Sequence, residues 1–298
     1  MSRRGSGNHD LSSKGCFPTG FIEITSKTNL NLCHVFIHVL AGWISLRINK
    51  TLVIVKINYI RFNAMSQLSP FITFGSQHLV TVLVIVAAMV AIPFVVRKSN
   101  SEQTVRVAAL ALAIMLLTFK IGEPLFRLFS GESWQALLPL QLCDIGAFIT
   151  GLVLLKQNML LFELAYFWGL GGGIQAVLTP DLETGFPSSD FMFYFITHGL
   201  CMVGVIYAIV LFNYRPVLKS IWRAFLAMLV YAVLIIPVNW ILGTNYLYLM
   251  QKPQKASLID YLGDWPWYIL SLVGVAIMIF FIYYSPFLVA DSLRRKNK

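Results

Sequence analysis

Seven stretches of mostly apolar residues follow one another after residue 65, at about 77–97, 104–128, 136–155, 158–178, 190–213, 221–242 and 266–288. Each approaches the roughly 20 residues that a helix needs to cross a hydrocarbon core. Polar and helix-breaking segments separate them: "KSNSEQ", "SGES", "KQN", "TPDLETGFPSSD", "NYRP" and the long "GTNYLYLMQKPQKASLIDYLGDWPW". No repeat or low-complexity tract interrupts the series. The pattern predicts an all-α, polytopic membrane protein, a bundle of seven transmembrane helices over residues 65–298.

Composition agrees. Of 298 residues 57% are hydrophobic and 12% charged, where soluble chains carry about 25% charged residues. The net charge of +10 then reads as topology, not as a nucleic-acid surface. One set of span ends holds Arg97, Lys98, Arg106, Lys156, Arg215, Lys219, Arg223, Arg294, Arg295, Lys296 and Lys298; the other holds Lys120, Arg127, Lys252 and Lys255. Eleven basic residues against four predict a cytoplasmic C-terminus in the cell membrane, with the residue-65 end outside. Residues 1–64 differ, with eight basic and two acidic residues and one short apolar run near 32–46. They are expected to be a disordered basic extension or a mis-assigned start, since Met65 opens a plausible membrane-protein beginning. A basic segment lying on the membrane surface is the other reading.

Ionisable groups at membrane depth are costly unless paired or facing a cavity, so each is a functional candidate. The strongly polar positions are His78, Lys120, Glu123, Arg127, Cys143, Asp144, Glu163, Gln175, His198, Cys201 and Asn239. Most fall near the outer ends of their spans, with Glu163 close to an inner end. Counted from the outer side, Cys143 and His198 lie about 10 Å deep at 1.5 Å per residue. A cysteine and a histidine at one depth suit a thiol nucleophile with an imidazole base. A carboxylate from Glu123 or Asp144 is placed to orient the imidazole. The plainer account treats Cys143, Gly146, Ala147 and Thr150 as a small-residue packing stripe and Cys201 as a buried small hydrophobe. Gln175 and Asn239 suit hydrogen bonds between helices, and Lys120, Glu123 and Arg127 suit a local ion-pair group. The four cysteines, Cys16, Cys33, Cys143 and Cys201, show no CxxC spacing, so no metal site is expected.

The segments "LPLQLCDIG", "YFWGLGGGIQAVLTPDL", "FPSSDFMFYFITHG", "NYRPVLKS" and "GDWPWY" together resemble the integral membrane family that contains human transmembrane protein 164 and bacterial YwaF-type proteins. The resemblance runs from about residue 70 to 290. It implies a seven-helix membrane protein and, for the animal member, an acyltransferase moving fatty acyl chains between phospholipids. It also implies an active cysteine in the third-span motif and an active histidine in the fifth, matching Cys143 and His198. Glu123, Asp144, Gln175, His78 and Asn239 are the expected supporting or substrate-binding residues. The implied partners are membrane phospholipids, and no cofactor is called for. A transporter or receptor with a polar outer pocket is the competing class, though the chain lacks the paired broken helices of a transporter.

Overall fold

The computed structural model describes residues 69–253 and 258–296, so the extension expected over 1–64 lies outside the described residues. Helices α1 (Ser76–Lys98) and α2 (Glu102–Phe129) form a first hairpin. A single-turn helix α3 (Trp134–Leu137) leads to α4 (Leu142–Lys156). Then come α5 (Met159–Leu178), α6 (Ser189–Leu211), α7 (Leu218–Leu242) and α8 (Trp267–Lys296). Short 3₁₀ turns at Tyr246–Tyr248 and Leu258–Leu262 fill the connection before α8. Among the described residues there is no strand, only an isolated bridge from Pro70 to Thr184.

Helices α1, α2, α5, α6, α7 and residues Trp267–Leu293 of α8 are long and apolar enough to cross a membrane. Their outer surfaces carry Leu83, Val90, Phe94, Val233, Trp240 and Ile241, all exposed. A soluble monomer rarely exposes so continuous an apolar surface, whereas lipid accommodates it. The chain is a multi-pass membrane protein.

The third expected span, 136–155, does not form as one helix. Helix α4 has 15 residues, about 22 Å at 1.5 Å per residue, which is short of the roughly 30 Å hydrocarbon core. Pro139 is the cause. It has no N–H to donate, and it holds the preceding Leu138 in extended backbone with φ −61° and ψ 131°. Ala136 and Leu137 therefore end the short α3, and helix restarts only at Leu142. Six span-capable helices plus a shorter internal helix stand where seven spans were expected.

Helices α4, α5 and α6 form the centre, with α2 across α4 and α6, α1 on α6, and α7 and α8 against α5. Small residues set this centre. A Cβ on Gly146 would come within 2.9 Å of the Gly169 Cα, and one on Gly169 within 2.9 Å of the Cys201 sulfur. A Cβ on Gly204 would meet the Thr150 methyl at 2.7 Å. The stripe seen in the sequence is thus a real contact surface, with backbones in near contact. Residues Ala165–Leu170 of α5 take a π turn, and side chains in and beside it bond to α7 and α8. The Tyr283 hydroxyl donates to the Gly171 carbonyl, and the Tyr166 hydroxyl donates to the Tyr283 carbonyl. The Trp168 indole N–H donates to the Ala224 carbonyl of α7. At the other end of α5, buried Glu163 takes both of its bonds from Arg223 of α7, at 2.8 and 2.9 Å.

Gly146→Ala is expected to lower the melting temperature of the purified protein, because the added methyl meets backbone that cannot step aside; overpacking costs about 1–3 kcal/mol. Gly274→Ala, with open space around its position, is expected to leave it unchanged or raise it. Thermal melts in detergent compare the two, and equal shifts would contradict the packing described.

Candidate functional site

Arg127 near the end of α2 pairs with Asp190 in the first turn of α6 at 3.2 Å. Phe193 of α6 packs against Phe126 and Phe119 of α2. These contacts fix the two helices in antiparallel register. Lys120 lies seven residues back along α2 from the ion pair, and His198 eight residues forward along α6. At 1.5 Å per residue both are about 10–12 Å inward from the same end. Lys120 also touches Asp144 in the first turn of α4, Nζ to Oδ1 at 2.5 Å, so the start of α4 sits at that level too. Lys120, Glu123, Cys143, Asp144 and His198 therefore occupy one layer.

Asp144 has three neighbours. Its Oδ2 accepts from the Gln141 N–H at 3.0 Å, which closes the start of α4. Its Oδ1 meets the Lys120 ammonium, and the Cys143 sulfur stands 3.9 Å from that same oxygen. Lys120 also bonds Glu123, at 3.3 Å. Of the two local partners expected for Glu123, Lys120 is the one it takes, while Arg127 turns to Glu132 and Asp190.

His198 is half-buried, and its Nδ1 lies 2.7 Å from the Tyr194 carbonyl. A carbonyl oxygen can only accept, so Nδ1 carries the proton and Nε2 of the neutral ring is the basic nitrogen. Among the described residues no hydrogen bond reaches Nε2. The Tyr194 ring packs on the imidazole at 4.4 Å. Lys120, Asp144 and Glu123 lie within electrostatic reach of the imidazole, and Tyr194 lies within reach of Cys143. Among the described residues no hydrogen bond joins the thiol directly to the imidazole.

A loop covers the start of α4. The Leu247 N–H donates to the Gln141 side-chain oxygen at 3.0 Å, the Tyr246 hydroxyl to the Gln135 carbonyl at 2.5 Å, and the Tyr231 hydroxyl to the Leu140 carbonyl at 2.8 Å. Leu247 and Tyr248 hold left-handed backbone, with φ of 59° and 53°, an unfavourable conformation for residues with side chains.

The other expected site residues are placed elsewhere. His78 is fully buried and saturated: Nδ1 accepts from the Phe74 N–H and Nε2 donates to the Val177 carbonyl, so it clasps the start of α1 to the end of α5. Gln175 is exposed and bonds Thr179 on the next turn of its own segment. Buried Asn239 accepts from Tyr246 N–H and Thr244 and donates to the Tyr246 carbonyl, anchoring the covering loop to α7. Cys201 bonds Thr150 at 3.3 Å within the packed centre. Among the described residues no cluster of three metal-ligating side chains forms. Lys120 as the partner of Asp144, and Tyr194 as the anchor of His198, are additions that the sequence did not single out. A usable signal existed for the first, because a lysine and an aspartate at one depth on neighbouring helices must pair.

The TMEM164 family model matches residues 73–284. The chain belongs to the TMEM164 family. That match contains every helix from the first span to most of α8, and with them Lys120, Cys143, Asp144 and His198. No curated protein and no solved structure matches the chain.

A thiol-reactive maleimide added to the folded protein is expected to label Cys143, which is half-buried, and to spare Cys201, which is 3% exposed. Peptide mapping by mass spectrometry reads both. Equal labelling before unfolding would show that Cys201 is not packed as described.

Proposed function

We propose that this TMEM164-family protein is a cysteine- and histidine-dependent acyltransferase or lipase acting on membrane phospholipids. Its site opens near the outer leaflet of the cell membrane, and its C-terminus is cytoplasmic. The observation that carries the proposal is the bonding of His198: Nδ1 is held by a backbone carbonyl, leaving Nε2 as a base in the layer of the Cys143 thiol. The excess of basic residues at one set of span ends supports the orientation.

In the proposed cycle the Cys143 thiol gives its proton to Nε2 of His198 as sulfur bonds to the donor ester carbonyl carbon. The ester C–O bond breaks, and His198 returns the proton to the departing lysolipid oxygen. An acceptor hydroxyl then gives its proton to Nε2 while its oxygen attacks the thioester carbon. The C–S bond breaks, and the proton goes back to sulfur. Water in place of the acceptor makes the same cycle a hydrolysis. The N–H groups of Leu142 and Cys143 lie in the first turn of α4, where no intrahelical carbonyl is available to them, and they are the oxyanion donors in this scheme. Gln175 is not a donor, since its amide is spent on Thr179.

Cys143→Ala and His198→Ala are each expected to lower acyl transfer by a factor on the order of 10² to 10⁴ while the protein still inserts. The assay follows labelled phospholipid in vesicles containing the purified protein. A hydroxylamine-sensitive acyl label should appear on the wild type and be missing from Cys143→Ala. Full transfer by Cys143→Ala would end the proposal in favour of a binding or transport role.

A further inference from the structure

Asp144 is an awkward neighbour for a nucleophilic thiol. Its Oδ1 lies 3.9 Å from the Cys143 sulfur, where a bare carboxylate would repel the negative charge that sulfur develops as it reacts. Lys120 changes this. Its ammonium sits 2.5 Å from that same oxygen and 3.3 Å from Glu123. Lys120 and Asp144 are each only 8% exposed, so salt screens their interaction weakly. Lys120 arrives from α2, whereas Cys143 and Asp144 share the first turn of α4. The charge beside the thiol is therefore set by a different helix from the one that carries it.

The titratable groups around the thiol come from every side of the site. They are Lys120 of α2, Asp144 of α4, Tyr194 and Cys201 of α6, Tyr231 of α7 and Tyr248 of the covering loop, with Glu123 and His198 one step further out around Lys120 and Asp144. Among these described groups Lys120 is the one permanent cation, facing two carboxylates.

We propose that Lys120 is the positioning residue of the Cys143 thiol: it neutralises Asp144 and so permits negative charge on the adjacent sulfur, without itself touching substrate. The role deepens the acyl-transfer proposal, yet it is measurable on the thiol alone. It predicts opposite effects from removing the two partners. Lys120→Met leaves a carboxylate facing sulfur. Asp144→Asn leaves an ammonium facing sulfur and keeps an oxygen to accept from Gln141.

The test is the rate at which an uncharged maleimide alkylates Cys143 in the full chain, purified in lipid nanodiscs with Cys16→Ser and Cys33→Ser as background. Lys120→Met should slow alkylation and Asp144→Asn should speed it, each by a factor on the order of tenfold. Lys120→Arg and the double variant Lys120→Met with Asp144→Asn should stay close to the wild-type rate. An ion pair that only holds helices together would shift both single variants the same way as the site loosens, and that result, or no shift, overturns the proposal. Should Lys120→Met fail to fold, Asp144→Asn and the double variant decide it, and absence of acceleration in Asp144→Asn refutes it. Transfer surviving in Cys143→Ala alongside opposite alkylation shifts would remove the acyl-transfer proposal and leave the role of Lys120 standing. Lost transfer with flat alkylation would do the reverse.

Discussion

The contact on which the rest depends is Lys120 with Asp144, an ion pair between α2 and α4 inside an apolar bundle. An isolated charge at that depth costs several kcal/mol, whereas two opposite charges 4 Å apart recover roughly 4 kcal/mol at an effective dielectric of 20. Each lowers the cost of burying the other. Their meeting fixes the start of α4 against α2, and the Arg127–Asp190 pair fixes α2 against α6. Two ion pairs on one helix thus bring three helices to a common level, and the thiol and the imidazole follow as consequences of that register.

The same arrangement lets a helix begin inside the membrane. Pro139 interrupts the chain and frees backbone groups that lipid would not satisfy, which is acceptable only where protein covers them. Tyr231 serves the Leu140 carbonyl, Asp144 serves the Gln141 N–H, and the Gln141 side chain in turn serves Leu247. Breaking the third span and building a polar layer are one structural event. A continuous helix through 136–155 would have put Cys143 in mid-helix, with its N–H bonded to a carbonyl one turn back. At the second position of a restarted helix that N–H has no such partner.

Much of this was legible in the sequence, and the remainder was not for identifiable reasons. Hydropathy runs located five of the seven expected spans to within a few residues at both ends and the start of the last, whose helix runs on to Lys296, because length and apolarity dominate that signal. The exception was the run with a proline near its start, where the backbone consequence of Pro139 outweighs the apolar character of its neighbours. The small-residue stripe of α4 was visible in its spacing, although its partner, Gly169 in a π turn, was not. Pairings across helices were the weakest point. Local spacing offered Glu123 both Lys120 and Arg127, and the Lys120 pair forms, but the fold also sends Arg127 to Asp190 and Lys120 to Asp144, contacts that no periodicity within one helix contains. Glu163, at the opposite set of span ends, is served by Arg223 sixty residues away.

His78 and His198 show why polarity at depth does not by itself identify a reactive group. The two look alike in the sequence as ionisable residues toward the same set of span ends. Their partners are opposite in kind at Nδ1: an N–H donor meets it in His78 and a carbonyl acceptor in His198. That reverses the tautomer. In His78 the second nitrogen must then donate, and it does so to Val177, which leaves the ring with nothing to offer a substrate. In His198 the second nitrogen is left as an acceptor in a layer that already holds a thiol. The two cysteines divide in the same manner, since Cys201 is enclosed by Thr150 and Gly169 whereas Cys143 is only half-buried in the first turn of α4. What distinguishes chemistry from packing here is which hydrogen-bonding capacity the fold leaves unspent, a property of neighbours that only the assembled bundle supplies.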